Sequence, residues 1–284
     1  MRLRRLRTVD SASLAYIVAM QHLASAMTTS IDSSKPFAAP SWTLMGAEPF
    51  RAALEYAGSH LMNRSTLPRG DGHAVVLFPG LASNKRAIGP LRSFCGKLGY
   101  TAHDWGRGFN TGPQGNPDLW LDELARHVST LTSTNLEPIS LVGWSLGGIY
   151  AREVAKRLGK RVRQVVTIGT PFAGLAHHTN AGFVYRVLNG SEPAIDLAMG
   201  EKLRTAPGVP TTSIYSRSDG VVAWQACIQA GDRSTTENVE VFGSHCGLGW
   251  NAEVFSVLAD RLSQAPGAWK RYVPRAPASK RSVS

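Results

Sequence analysis

The chain has 284 residues, 43% of them hydrophobic and 18% charged, enough for one large domain with a sizeable core and ordinary for a globular protein. No apolar run approaches the roughly 18 residues of a membrane-spanning helix, and stable membrane insertion is excluded on that ground. The formal charge of +11 suggests nucleic acid, but nine of the 31 basic residues lie in the first seven and last fifteen positions, which leaves 22 against 20 acidic residues in the body. No nucleic-acid recognition motif accompanies these basic ends; peripheral contact with an anionic membrane surface is the partner they fit better.

The basic start MRLRRLR is followed by the mildly apolar stretch SLAYIVAMQHLASAM, interrupted by Gln21 and His22. It reads as a short amphipathic helix, or as upstream of a true start at Met20 or Met27, in a cytoplasmic protein. Taken instead as a poor signal peptide, it would make the protein a secreted one. Residues 47–63 predict a helix, with Leu54, Ala57 and Leu61 at helical spacing. A turn-rich break at 67–73 follows.

Short apolar runs then alternate with helical stretches. Strands are expected at 74–80, 100–105, 138–144, 162–169, 209–216 and 238–243, and helices at 88–99, 118–132, 145–159 and 252–264. Residues 106–117 form a loop dense in Gly, Asn and Pro. This alternation predicts an α/β fold: a mostly parallel sheet of about six strands with helices on both faces. The interval 172–205 is too long for an ordinary connection and reads as a helical lid or cap, with an apolar set (Phe183, Val184, Tyr185, Val187, Leu188, Leu197) suited to an acyl chain or to packing. The expected organisation is a helical N-terminal extension at 1–69, the α/β domain at 70–265 and a basic disordered tail at 266–284.

The chemistry centres on Gly143-Trp144-Ser145-Leu146-Gly147, followed by Gly148. A strand runs directly into this pattern and a helix directly out, which is the context of a strained turn that presents a nucleophilic serine. Small residues must flank such a serine, and the helix N-terminus aims its free N–H groups at it. A hydroxyl needs a base to attack at neutral pH. Of the three histidines after Ser145, His177 and His178 fall in the insertion, whereas His245 directly follows the last strand. The orienting acid should sit after the preceding strand, where Asp219 precedes Gly220; Asp232 and Glu237 are alternatives further along. An oxyanion hole needs two donors: the N–H of Leu146, and a second from the loop after the first strand, where Leu81 follows Pro79-Gly80.

These stretches, with VVTIGTPFAG, SRSDGVVAW and GSHCGLGWN, resemble the lipase-like α/β-hydrolases, more narrowly a bacterial group of predicted hydrolases and acyltransferases. The resemblance runs from about Gly70 to Leu262. It implies an α/β-hydrolase fold, a triad of Ser145, Asp219 and His245, and a bridge between Cys227 and Cys246. Two departures stand out: Pro79 replaces the histidine many lipases carry before the glycine, and the first 70 residues look helical where many members open with two strands.

The expected activity is hydrolysis of a small ester or lipid through an acyl-enzyme, with no metal and no organic cofactor. An acyltransferase or thioesterase would use the same triad, and a non-catalytic binding protein would keep only the fold. The three cysteines lack zinc-ligand spacing. Oligomeric state is not legible in these residues.

Overall fold

The computed structural model describes residues 40–134, 137–173, 197–230 and 234–274. The signal-like segment, most of the basic ends, His177, His178, Asp232 and the greater part of the expected lid lie outside them.

The first element is helix α1, Trp42–His60, which begins earlier than its apolar spacing suggested because the Ser41 side chain accepts a hydrogen bond from the Leu44 N–H and caps the first turn. Strand β1 (Ala74–Phe78), helix α2 (Gly89–Leu98), strand β2 (Thr101–Asp104), helix α3 (Pro117–Leu131), strand β3 (Ile139–Trp144), helix α4 (Leu146–Leu158) and strand β4 (Val162–Ile168) follow in strict alternation. Helix α5 (Leu197–Arg204), strands β5 (Thr211–Tyr215) and β6 (Thr236–Glu240), and helix α6 (Ala252–Leu262) complete the described chain. Helices α3 and α6 start where they do because Asn116 and Asn251 cap them, each accepting two backbone N–H bonds.

The six strands form one parallel sheet in the order β2-β1-β3-β4-β5-β6. Its central strands are apolar runs buried on both faces, as a parallel sheet covered by helices requires. In β1, Val75 and Leu77 pack on one side with residues of α2 and α6, while Ala74, Val76 and Phe78 pack on the other with α3 and α4. Phe94 of α2 stacks on Phe255 of α6 with ring centroids 4.3 Å apart, a pair worth about 0.5–1.5 kcal/mol beyond its buried area.

The chain leaves β1 toward β2 in one direction and returns to β3 in the other. The strand order therefore reverses between β1 and β3, and a crevice opens beyond their carboxyl ends. The segments that border it are Pro79–Ala82 after β1 and Ser145 after β3.

Two expectations about the flanks change. Helix α1 packs against the turn Gly247–Gly249 and helix α6, so the residues before position 70 that are described belong to the same body. Residues 266–274, expected to be disordered, carry no helix or strand, yet Arg261 Nη1 donates to the Lys270 carbonyl at 2.5 Å and the Tyr272 N–H donates to Glu237 Oε2 at 2.7 Å. The reason is that Arg261 and Glu237 are buried charges, and the chain that follows α6 supplies their remaining hydrogen bonds. Of the lid interval, α5 is described: Arg152 Nη2 holds its end by bonds to the carbonyls of Leu203, Arg204 and Thr205.

Candidate active site

Ser145 is the residue between β3 and α4. Its backbone sits at φ 53°, ψ −126°, and it shares a positive φ with only Ala82 among the described non-glycine residues. A non-glycine residue held there is strained by about 1–3 kcal/mol, so its surroundings must enforce it. They do so by contact. A Cβ on Gly143 would lie 2.3 Å from the Gly147 carbonyl oxygen, one on Gly147 2.3 Å from the Phe78 oxygen, and one on Gly148 2.0 Å from Thr170 Oγ1. Gly143 and Gly147 let β1, β3 and α4 close on the turn, where a larger residue would meet backbone, and Gly148 leaves room for the Thr170 side chain.

His245 and Asp219 complete a hydrogen-bonded line. Ser145 Oγ lies 3.1 Å from His245 Nε2, and His245 Nδ1 lies 2.7 Å from Asp219 Oδ2. Asp219 does two jobs at once: Oδ2 faces the imidazole while Oδ1 accepts the N–H groups of Val221 at 2.8 Å and Val222 at 2.7 Å. The turn-forming and histidine-facing uses of this aspartate are thus one arrangement. Burial disfavours the charged imidazole, but the charge and hydrogen bond of Asp219, with the charge of Glu48, outweigh it and raise the His245 pKa above its ordinary value. Trp144 Nε1 donates to the His245 carbonyl at 3.2 Å and ties the histidine loop to the serine turn.

The other sequence candidates separate cleanly. Glu237 is spent elsewhere, paired with Arg261 at 2.6 Å and accepting the Thr212 hydroxyl at 2.7 Å. Leu146 is the first residue of α4, where a helix leaves its N–H groups without intrahelical partners. Leu81 follows Gly80, whose Cα direction faces Ser145: a Cβ there would lie 3.2 Å from the Ser145 Cβ. Cys227 and Cys246 are not bridged, which corrects the pairing expected from the resemblance. The Cys227 thiol instead packs into an apolar cluster with Tyr215, Val221 and Val222, 4.0 Å from the Ala223 carbonyl.

Two groups of residues escaped the sequence reading. Asn110, fully buried in the glycine-rich loop, donates to the carbonyls of Pro79 at 2.9 Å and Gly80 at 3.0 Å, and its own backbone pairs with Ser83. Tyr150 donates to Asn110 Oδ1 at 3.1 Å, so the loop beside Ser145 is pinned from two elements. A lone asparagine among glycines and prolines looks like turn chemistry, and nothing local distinguishes it. Glu48 and Glu55 of α1 accept backbone N–H groups around Asp219 and His245. The only local sign of them was two acidic residues seven apart on a helix.

No protein-family model matches the sequence. Solved structures do resemble it. Lipase B of Aspergillus fumigatus superposes with a TM-score of 0.51 at 18% identity, over 72% of this chain and 56% of the lipase. An α/β superfamily hydrolase of Oenococcus oeni PSU-1 superposes with a TM-score of 0.51 at 15% identity, over 68% of this chain and 94% of its own. The fold is that of the α/β-hydrolases. This chain spans little more than half the length of the Aspergillus lipase. Among the described residues of this α/β-hydrolase fold, no helix is long and apolar enough to cross a membrane.

Proposed function

We propose that the protein is a serine hydrolase of carboxylic esters, an esterase or lipase, working through an acyl-enzyme on Ser145. The observation that carries the reading is the unbroken line from Ser145 Oγ through His245 to Asp219, ending on a serine that is strained, partly exposed and seated at a helix N-terminus. His245 Nε2 takes the proton from Ser145 as Oγ attacks the ester carbonyl. Asp219 holds the Nδ1–H tautomer and stabilises the imidazolium. The N–H groups of Leu146 and Leu81 receive the oxyanion, within a loop that Asn110 keeps from spreading. His245 then protonates the leaving alcohol and activates the water that releases the acid. Water is one acceptor; an alcohol or a thiol reaching the same acyl-enzyme would make the protein an acyltransferase, and a thioester donor would make it a thioesterase.

The test is labelling of the full chain with a fluorophosphonate, mapped by mass spectrometry, beside hydrolysis of p-nitrophenyl esters of graded chain length. Modification confined to Ser145 and lost in Ser145→Ala is expected, with ester hydrolysis falling on the order of a thousandfold or more in the variant. Absence of labelling in the unmodified protein would overturn the proposal and leave a binding protein on a hydrolase fold. Adding an alcohol acceptor and measuring how the acyl group partitions between ester and acid separates hydrolase from transferase.

A further inference from the structure

Helix α1 contributes no member of the serine–histidine–aspartate line, yet it touches the loops that carry two of them. Glu48 is only 2% exposed. Its Oε1 accepts the Gly220 N–H at 2.8 Å and the His245 N–H at 2.9 Å, and its Oε2 accepts the Cys246 N–H at 2.9 Å. Gly220 directly follows Asp219, so one carboxylate ties the acid loop to the histidine loop through backbone atoms adjoining the paired side chains. The approach is tight: a Cβ on Gly220 would lie 2.7 Å from the carbonyl carbon and oxygen of Leu44 in α1. Two turns further on, Glu55 accepts the Ser244 N–H at 2.7 Å and an amide hydrogen of Asn251 at 2.9 Å. A Cβ on Gly247 would lie 2.4 Å from Glu55 Oε2. The glycines of the two loops are the clearance that lets α1 seat its carboxylates.

Placing Glu48 here is costly. Burial and then the neighbouring Asp219 charge raise its pKa, while the His245 charge and the N–H groups of Cys246 and His245 hold it down. The charged and titratable groups around it are Arg51 on its own helix at 3.9 Å, Asp219 from the acid loop, and His245 from the histidine loop. Arg51 is shared, since its guanidinium also donates to the carbonyl and hydroxyl of Ser218 at 2.6 and 2.9 Å. The buried Cys227 thiol lies beyond, against the Asp219 charge.

We propose that Glu48 is a positioning residue for the esterase reaction, setting the separation of the Asp219 and His245 loops and supplying a second negative charge that favours the imidazolium formed when Ser145 is deprotonated. The inference rests on the reading of Ser145, His245 and Asp219 as a working triad. Helix α1 is then part of the catalytic apparatus, and its removal inactivates the domain that the sheet and its helices otherwise build.

Glu48→Gln in the full chain tests it. An amide keeps one acceptor but turns an N–H toward the Cys246 N–H, and it deletes the charge. The expected result is a kcat lower by on the order of tenfold to a hundredfold with KM little changed, and an acid limb of kcat/KM moved to lower pH because a charge favouring the imidazolium is gone. Glu48→Asp keeps the charge at the wrong reach, so its acid limb stays in place while kcat remains low. Glu55→Gln, from the same helix, lowers Tm and leaves the acid limb unmoved. An unmoved acid limb and unaltered kcat in Glu48→Gln would overturn the proposal. If Glu48→Gln does not fold, Glu48→Asp decides: an unaltered kcat overturns it. Failure of the unmodified protein to react with the fluorophosphonate removes the triad reading and this one together, whereas normal reaction with unaltered Glu48 variants removes this one alone.

Discussion

Among the described residues, two lines of serine, histidine and aspartate lie at opposite ends of the same sheet. At the carboxyl end, Ser145, His245 and Asp219 are linked at 3.1 and 2.7 Å. At the amino end, Ser140 Oγ lies 2.8 Å from His73 Nε2, and His73 Nδ1 bonds to Asp71. By side-chain geometry alone the second is the better triad. Everything around it differs. Ser140 is inside strand β3 and fully buried, with no helix N-terminus behind it and an extra hydrogen bond from Gln164. The two histidines are also driven in opposite directions. Burial, with the nearby Arg163 charge, lowers the His73 pKa despite Asp71, whereas Asp219 and Glu48 overcome burial and raise that of His245. Arg163 also bonds Asp71 at 2.7 Å, so a charged His73 would share that carboxylate with a second cation. The two serines thus share their partners and differ in access, in the helix N-terminus behind Ser145, and in how readily the histidine environment accepts a proton.

The sharpest way to break this comparison is to treat both ends alike. Asp219→Asn is expected to lower kcat on the order of 10⁴-fold by favouring the wrong tautomer, and Asp71→Asn to leave ester hydrolysis unaltered; equal losses measured on one p-nitrophenyl ester would mean that the amino-end line is functional. The pH dependence discriminates next. Hydrolysis needs neutral His245, so kcat/KM should fall with decreasing pH through a midpoint above the ordinary histidine value of 6.5. Stability follows with opposite signs at the two sites. The raised His245 contributes stability that is complete below pH about 6.5 and fades as pH rises through its higher folded value. The depressed His73 contributes stability that is present above pH about 6.5 and is lost as pH falls through its lower folded value. Thermal melts across the neutral and mildly acidic range, with His73→Asn for reference, resolve the second effect: the gap between variant and unmodified protein should narrow on acidification. The smallest change is Ser140→Ala, which strands His73 Nε2 in a buried site and should cost about 1–3 kcal/mol of stability, seen as a lower Tm with the hydrolysis rate intact.

How much of this was legible beforehand depends on the distance over which each signal acts. Strands and helices were legible as runs and periods within ten to fifteen residues, and the α/β architecture followed from their alternation. Errors fell where the deciding contact lay outside the apolar pattern, in a helix cap or in a buried charge elsewhere in the chain. Helix α1 starts at a Ser41 cap that periodicity ignores, and residues 266–274 are ordered by the buried Arg261 and Glu237 rather than by their own composition. The bridge between Cys227 and Cys246 was implied by the resemblance alone, and Cys227 packs instead with Tyr215, Val221 and Val222.

By itself the sequence determined the sheet, through apolar runs and their alternation, and it made Ser145, His245 and Asp219 the candidates on which the proposal rests, because each stands out by local spacing: glycines around a serine, and single residues just past strand ends. Only the tertiary structure decided what holds those residues in line. Asn110 beneath the Pro79–Gly80 turn and Glu48 beneath the loops of Asp219 and His245 act across 30 to 198 positions of chain, through hydrogen bonds to backbone atoms. A backbone N–H or carbonyl is the same in every residue, so a side chain that recognises one leaves no mark on the sequence of its partner.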